Sequence, residues 1–214
     1  MRVKVCGIRK IEDALNAVKF GADAVGLLVG QKHSAKDFID EGTARSIVEK
    51  LPPFCSSVLV THLTDNDKII SLAKFIGTTT IQLHGDSTPE DVMYIRQRLP
   101  GVKLIKALHV VDENSIKNGR PYLDVIDAIL LDTINVSTDQ VGGTGLTHDW
   151  NLSREIVLMY GVPVILAGGL NPDNVQQAIK AVNPFGVDAN SGTKGLDGFK
   201  DINRLKAFIR NAKM

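Results

Sequence analysis

Cysteine is nearly missing from this chain: Cys6 and Cys55 are the two in 214 residues. Two thiols far apart exclude a disulfide framework and match no zinc-binding spacing, so a reduced, cytoplasmic setting is expected. Charge of either sign is not in excess, with 25 Lys and Arg against 24 Asp and Glu. No block of like charges occurs, which argues against a nucleic-acid or anionic-membrane partner. Long hydrophobic runs are absent too. The N-terminal Arg2-Val3-Lys4-Val5 has no secretory h-region, and no stretch approaches the roughly 20 apolar residues of a membrane span. Low-complexity, Pro-rich and Gly-rich hinges are also missing, so residues 1–214 are expected to form a single domain.

What the chain does contain is alternation. Short apolar runs at Val3–Cys6, Ala24–Val29, Ser56–Thr61, Thr79–Leu83, Lys103–Leu108, Val125–Leu131, Val162–Leu166 and Phe185–Ala189 read as strands. Between them lie helical patterns near 11–20, 41–51, 65–76, 88–98, 112–118, 152–160, 171–182 and 201–212. Asp65 or Asn66 suits an N-cap, as does Ser87 or Thr88, with Pro89 in the first turn. Continuous apolar strands are covered on both faces, which implies a parallel sheet under helices. Eight such units predict an α/β fold of the (β/α)8 TIM barrel class. An open doubly wound sheet is the alternative, but its GxGxxG turn is absent after the first strand, where the sequence reads CGIRK.

In a barrel of this type, chemistry belongs at the C-terminal ends of the strands. Loops 7 and 8 carry AGGL followed by NPDNV, and NSG; loop 6 carries GGTG. Glycines let backbone N–H groups approach an anion closely, so these three loops point to a phosphate site and a small phosphorylated substrate. Cys6 and Asp132 end strands 1 and 6 and form a candidate acid–base pair. A free cysteine is often a small apolar filler. To act as a base it needs a lowered pKa, which a phosphate-site field or a helix N-terminus would supply. His62, His84 and His109 end strands 3 to 5. Their spacing supports no metal site, and His84 suits substrate contact or loop support. Lys106, inside strand 5, fits a Schiff-base role or a core lysine paired with a carboxylate.

These motifs have a family resemblance. KVCGIRKIEDA, GADAVG, QLHG, LLDT, GGTGLTHDW, LAGGLNPDNV and GVDANSG followed by GFKD resemble phosphoribosylanthranilate isomerase, across nearly the whole chain. The resemblance implies a (β/α)8 barrel without cofactor or metal, acting in tryptophan biosynthesis. The implied reaction is an Amadori rearrangement that converts an aminoaldose into an aminoketose. It casts Cys6 as general base at ribose C2 and Asp132 as general acid at the ring oxygen. It assigns phosphate to Gly143, Thr144, Gly145, Gly168, Gly169, Ser191 and Gly192, and places Asp188 near the ribose. Barrels of this kind occur as monomer or homodimer.

Loop 2 departs from the family pattern. The family's PKSPRYV is replaced by GQKHSAKDFI, so the arginine that pairs with the anthranilate carboxylate is missing. One register puts Lys36 there, with a point charge instead of a planar fork. Another puts Asp37 there, which would repel a carboxylate. Lys32, His33 and Arg9 are further candidates. A related isomerase acting on another phosphorylated amino sugar, or a non-catalytic phosphosugar-binding barrel, are the competing readings.

Overall fold

The computed structural model describes residues 1–31, 37–135, 140–141 and 148–214. Eight parallel strands form a closed barrel. They are β1 (Arg2–Val5), β2 (Ala24–Leu28), β3 (Ser56–Thr61), β4 (Thr80–Leu83), β5 (Lys103–His109), β6 (Ala128–Asp132), β7 (Val164–Leu166) and β8 (Gly186–Ala189). The helices are α1 (Ile11–Lys19), α2 (Glu41–Val48), α3 (Asn66–Ile76), α4 (Pro89–Arg98), α5 (Asn114–Gly119), α6 (Trp150–Met159), α7 (Val175–Val182) and α8 (Ile202–Lys213). Each strand pairs with its sequence neighbours, and β8 pairs with β1 to close the circle. Closure removes the open-sheet alternative.

Local signals set the element ends. Asp65 accepts from the Lys68 N–H and caps α3, and Gly77 at φ 75 ends it. Thr88 and Asp91 form a capping box that spans Pro89 at the start of α4. Several boundaries differ from expectation, two of them for a visible reason. β6 starts at Ala128, not Val125, because Asp127 is held outside the strand by the Leu104 N–H (2.8 Å), Arg96 (2.7 Å) and Lys103 (3.0 Å). Asn171 and Asn174 tie up a turn through the Asn171 N–H (2.8 Å), so α7 begins only at Val175. A two-stranded antiparallel hairpin, Ile134–Asn135 with Gln140–Val141, was not anticipated.

The strands alternate in facing despite their apolar look. Val3, Val5, Val25, Leu27, Leu59, Ile81, Leu83, Leu104, Ile129, Leu131, Leu166 and Val187 join the large core beneath the helices. The inward faces form two small clusters, Ile105, Ala107, Ala128, Leu130 and Ala167 on one side, and Cys6, Val58 and Val60 on the other. Period-2 facing therefore sends Lys4 and Cys6 inward from β1, Asp132 inward from β6 and Asp188 inward from β8.

Candidate active site

Cys6 follows β1 and donates its N–H to the Ala189 carbonyl of β8 (2.9 Å). Glycines make room around it. A Cβ at Gly26 of β2 would lie 2.8 Å from Cys6 Sγ and 3.2 Å from Lys4 Cε. Gly7, at φ 70, sits where any side chain would collide with Asn190. Loop 1 is thereby docked onto loop 8.

The β1–β8 register sets Lys4 beside Asp188. Their side chains form a buried ion pair at 2.6 Å, each no more than 7 % exposed. Burial disfavours the Lys4 ammonium, but Asp188 and Cys6 more than offset that and its pKa is raised. Burial pushes the Cys6 thiol up to about 11; Lys4 and Lys200 pull it down, and Asp188 opposes them. Desolvation outweighs the local cations, so the lowered pKa that a thiol base needs is not met in the resting site, and the thiol carries its proton at neutral pH.

Asp132 is also buried, and burial raises its carboxyl to about 6, against a hydrogen bond from the Thr133 N–H (2.8 Å). Asp188 adds to the rise and Lys4 counters it. The His84 ring nitrogen Nε2 lies 3.6 Å from the carboxylate. Around the barrel, β8 and β7 separate β1 from β6 on one side. The thiol and the carboxyl therefore flank the two strands that carry loops 7 and 8.

Those loops are in direct contact. A side chain at Gly192 would collide with the Leu170 carbonyl, and one at Gly168 with the Thr133 hydroxyl. Gly168 and Gly169 take φ values of 82 and 64, conformations that favour glycine. Gly168, Gly169, Ser191 and Gly192 are thus brought together beside Asp132, with Ser191–Thr193 in a short 3-10 turn. Gly143, Thr144 and Gly145 lie outside the described residues, as do Lys32, His33 and Lys36.

At loop 2, Asp37 does not face the mouth as an unpaired charge. It accepts from Asn190 Nδ2 (2.9 Å) and forms an ion pair with Lys194. Loop 8 neutralises it, so the expected repulsion of a carboxylate is corrected. Arg9 stacks its guanidinium 3.9 Å over the Phe199 ring, on the same loop 8.

His62, His84 and His109 form an edge-on series, with ring centroids 5.0 and 5.4 Å apart. Burial lowers the pKa of His84 well below 6.5 and that of His109 to about 4. Among the described residues no group of three His, Cys, Asp or Glu is placed to hold a metal. Lys106 is corrected: it is not in the barrel lumen but on the helix side, donating to the Gly85 carbonyl (2.8 Å) near the Tyr122 ring. Its neighbour Leu83 belongs to the outer core.

Three residues went unnoticed in the sequence. Lys4 was legible from alternation, since Val3 and Val5 face outward. Lys200 is pushed down to about 8 by burial and donates to the Asn190 carbonyl (3.0 Å) and Thr193 hydroxyl (3.0 Å). His148 bridges the Thr133 (2.9 Å) and Ser153 (2.5 Å) hydroxyls. Both stand inside quoted motifs, GFKD and GGTGLTHDW, but nothing local marks the contacts they make.

Comparison with known proteins completes the picture. The family model for N-(5'-phosphoribosyl)anthranilate isomerase matches residues 3–211. A relative named N-(5'-phosphoribosyl)anthranilate isomerase 2, from Methanosarcina mazei, is 49 % identical over 100 % of this chain and 94 % of its own. A phosphoribosyl anthranilate isomerase solved in complex with reduced 1-(o-carboxyphenylamino)-1-deoxyribulose 5-phosphate superposes at TM-score 0.85, with 38 % identity over 100 % of this chain and 98 % of that one. Monomers generated from the dimeric Thermotoga maritima isomerase superpose at TM-score 0.84, with 34 % identity and the same coverage. With its barrel, its buried thiol and carboxyl, and a match that spans nearly every residue, this chain belongs to the phosphoribosylanthranilate isomerase family.

Proposed function

We propose that the protein isomerises N-(5-phosphoribosyl)anthranilate to 1-(2-carboxyphenylamino)-1-deoxyribulose 5-phosphate, a step of tryptophan biosynthesis. The observation that carries this is the pairing of a buried thiol and a buried, proton-retaining carboxyl on either side of the contacting glycine loops 7 and 8. In this reading the phosphate is gripped by backbone N–H groups of Gly168, Gly169, Ser191 and Gly192, and by Gly143 to Gly145 of loop 6. Asp132, with its pKa near 6, gives its proton to the ribose ring oxygen as the C1–O bond opens and a Schiff base forms. Cys6, as thiolate, then takes the C2 proton, and the resulting enol-amine relaxes to the aminoketose. A carboxyl kept partly protonated near neutral pH suits the first step.

Asp188 is assigned to the ribose hydroxyls and His84 to the wall beside Asp132. The anthranilate carboxylate is assigned to Lys36, next to the anchored Asp37, with Arg9 as the second cation of that side. No cofactor enters this scheme, and a reducing cytoplasm suits the two free thiols. No helix among the described residues is long and apolar enough to cross a membrane.

Complementation of a tryptophan auxotroph that lacks this isomerase tests the activity. Growth is expected with the wild-type chain, and a Cys6→Ser chain is expected to turn over at least ~100-fold more slowly in vitro. Soluble wild-type protein that does not restore growth would overturn the assignment. A homodimer is the assembly we favour. Phe54 is fully exposed and held at φ 69, an arrangement suited to a partner surface. Sedimentation at a single-chain mass would exclude it.

A further inference from the structure

Cys6 has two inward neighbours that the catalytic scheme does not use as reagents: Lys4, two residues earlier on the same strand, and Asp188, paired with Lys4 across the β1–β8 register. Gly26 ties the geometry together, because a single Cβ position there lies within 3.2 Å of both Cys6 Sγ and Lys4 Cε. The thiol and the lysine stem thus share one small space on the lumen side of β2. Lys4 Nζ is anchored 2.6 Å from Asp188 Oδ2, in a site almost closed to solvent. The other Asp188 oxygen is buried and has no hydrogen-bond partner among the described residues.

A buried lysine–aspartate pair is weak evidence for stability, since desolvation can exceed the Coulombic gain. Its position beside the reacting thiol offers a different reason for it. We propose that Lys4 is a positioning residue for the base: an ammonium held by Asp188 at the inner side of Cys6, which stabilises the thiolate while the thiolate takes the C2 proton. Lys4 gives up no proton in this scheme. The proton moves from carbon to sulfur, and the lysine stays charged throughout.

The charged groups facing the thiol support the sign. From β1 comes Lys4, from β8 Asp188, and from loop 8 Lys200. Lys4 is the strongest of the influences that lower the thiol pKa, ahead of Lys200 and of the Gly7 N–H. Lys200 is turned to loop 8, where it binds the Asn190 carbonyl and the Thr193 hydroxyl. Lys4 is held by Asp188 and also reaches the Cys6 thiol itself. This inference rests on Cys6 as the base, so the test reads the thiol itself and not turnover alone.

The experiment measures the pH dependence of Cys6 alkylation by iodoacetamide, by mass spectrometry, in a Cys55→Ser background. Lys4→Met is expected to slow alkylation of Cys6 about tenfold at a fixed pH of 9, the effect of raising the thiol pKa by one unit. Its kcat falls by at least a similar factor while KM changes little. Because Lys4→Met strands Asp188 and threatens folding, Lys4→Met with Asp188→Asn is the second variant. It removes both charges at nearly constant shape, and slowed alkylation is expected to persist, because Lys4 outweighs Asp188 at the thiol. Unchanged alkylation rates in the folded double variant would overturn the proposal. If instead Cys6→Ser turns over normally, the base assignment fails while the alkylation result stands.

Discussion

The barrel mouth has two unlike halves. On the β8, β1 and β6 side, buried charges are kept: Lys4 is paired with Asp188, and Asp132 is raised but still titrates near pH 6. On the β3, β4 and β5 side, three imidazoles stack edge to edge, and burial holds His84 and His109 neutral. Both halves are desolvated to a similar degree. What separates them is supply of counter-charge. The first half has an ion pair across two strands. In the second, burial together with the other histidines, Lys4 and Lys106 lowers the imidazole pKa values, and Asp86 raises that of His109 without offsetting them. Buried groups whose opposite charges do not offset desolvation give up their own. One half of the mouth can therefore move protons near neutral pH, and the other provides a neutral wall.

The sharpest way to break this contrast is Asp132→Asn. Turnover is expected to fall at least ~100-fold, because the acid is gone. Stability is expected to move the other way. A carboxyl whose folded pKa lies above its unfolded value is most favourable to folding when protonated. Its stabilising influence is present below the unfolded value of 3.8 and is lost as pH rises through about 6. Above that, the fold carries the full cost of the buried charge, about 3 kcal/mol from the size of the shift. Asn keeps the acceptor for the Thr133 N–H without the charge. Denaturant unfolding at pH 8 should then show a more stable variant, and equal or lower stability would mean that Asp132 is not strained by burial.

Much of this contrast was readable before any coordinates. Eight apolar runs alternating with helical patterns imply strands covered on both faces, and barrel geometry then sends Cys6 and Asp132 to one mouth. The glycines of loops 7 and 8 were legible because close backbone approach needs that residue type. Lys4 lies in a strand, RVKV, that alternates charged and apolar residues; it reads as a solvated polar face until barrel closure buries it against Asp188. The fate of Asp37 depends on Asn190 and Lys194, more than 150 positions away, and no local pattern encodes such a contact. The Cys6 shift was not legible in the sequence, because the desolvation that dominates it is a property of the finished fold.

A smaller effect is expected at the seam of the proposed phosphate site. Gly168→Ala puts a Cβ into a backbone at φ 82 and into the Thr133 hydroxyl. The left-handed conformation alone costs roughly 1–2 kcal/mol. Loop 7 is expected to shift, with KM rising more than kcat falls. Adding Thr133→Ala relieves the collision but not the backbone strain, so recovery should be partial. Full recovery would mean that the positive φ is not needed for substrate binding.

The smallest effect is expected on the neutral side, and it tests the contrast most closely. If Cys6 reacts as thiolate and Asp132 as acid, kcat/KM follows the product of two fractions. The thiolate fraction climbs tenfold per pH unit below about 11. The protonated fraction of Asp132 is constant below about 6 and falls tenfold per unit above it. The product rises to about pH 6 and is level beyond. His109 stands directly opposite Asp132 in the β5–β6 register. If it carried charge, it would move that bend. With a pKa near 4 it carries almost none at pH 6, so His109→Gln should leave the bend of the kcat/KM profile within a few tenths of a unit of its wild-type position. A displacement of one unit or more would show that the imidazole side takes part in the proton balance, and the division of the mouth into a titrating and a neutral half would fail.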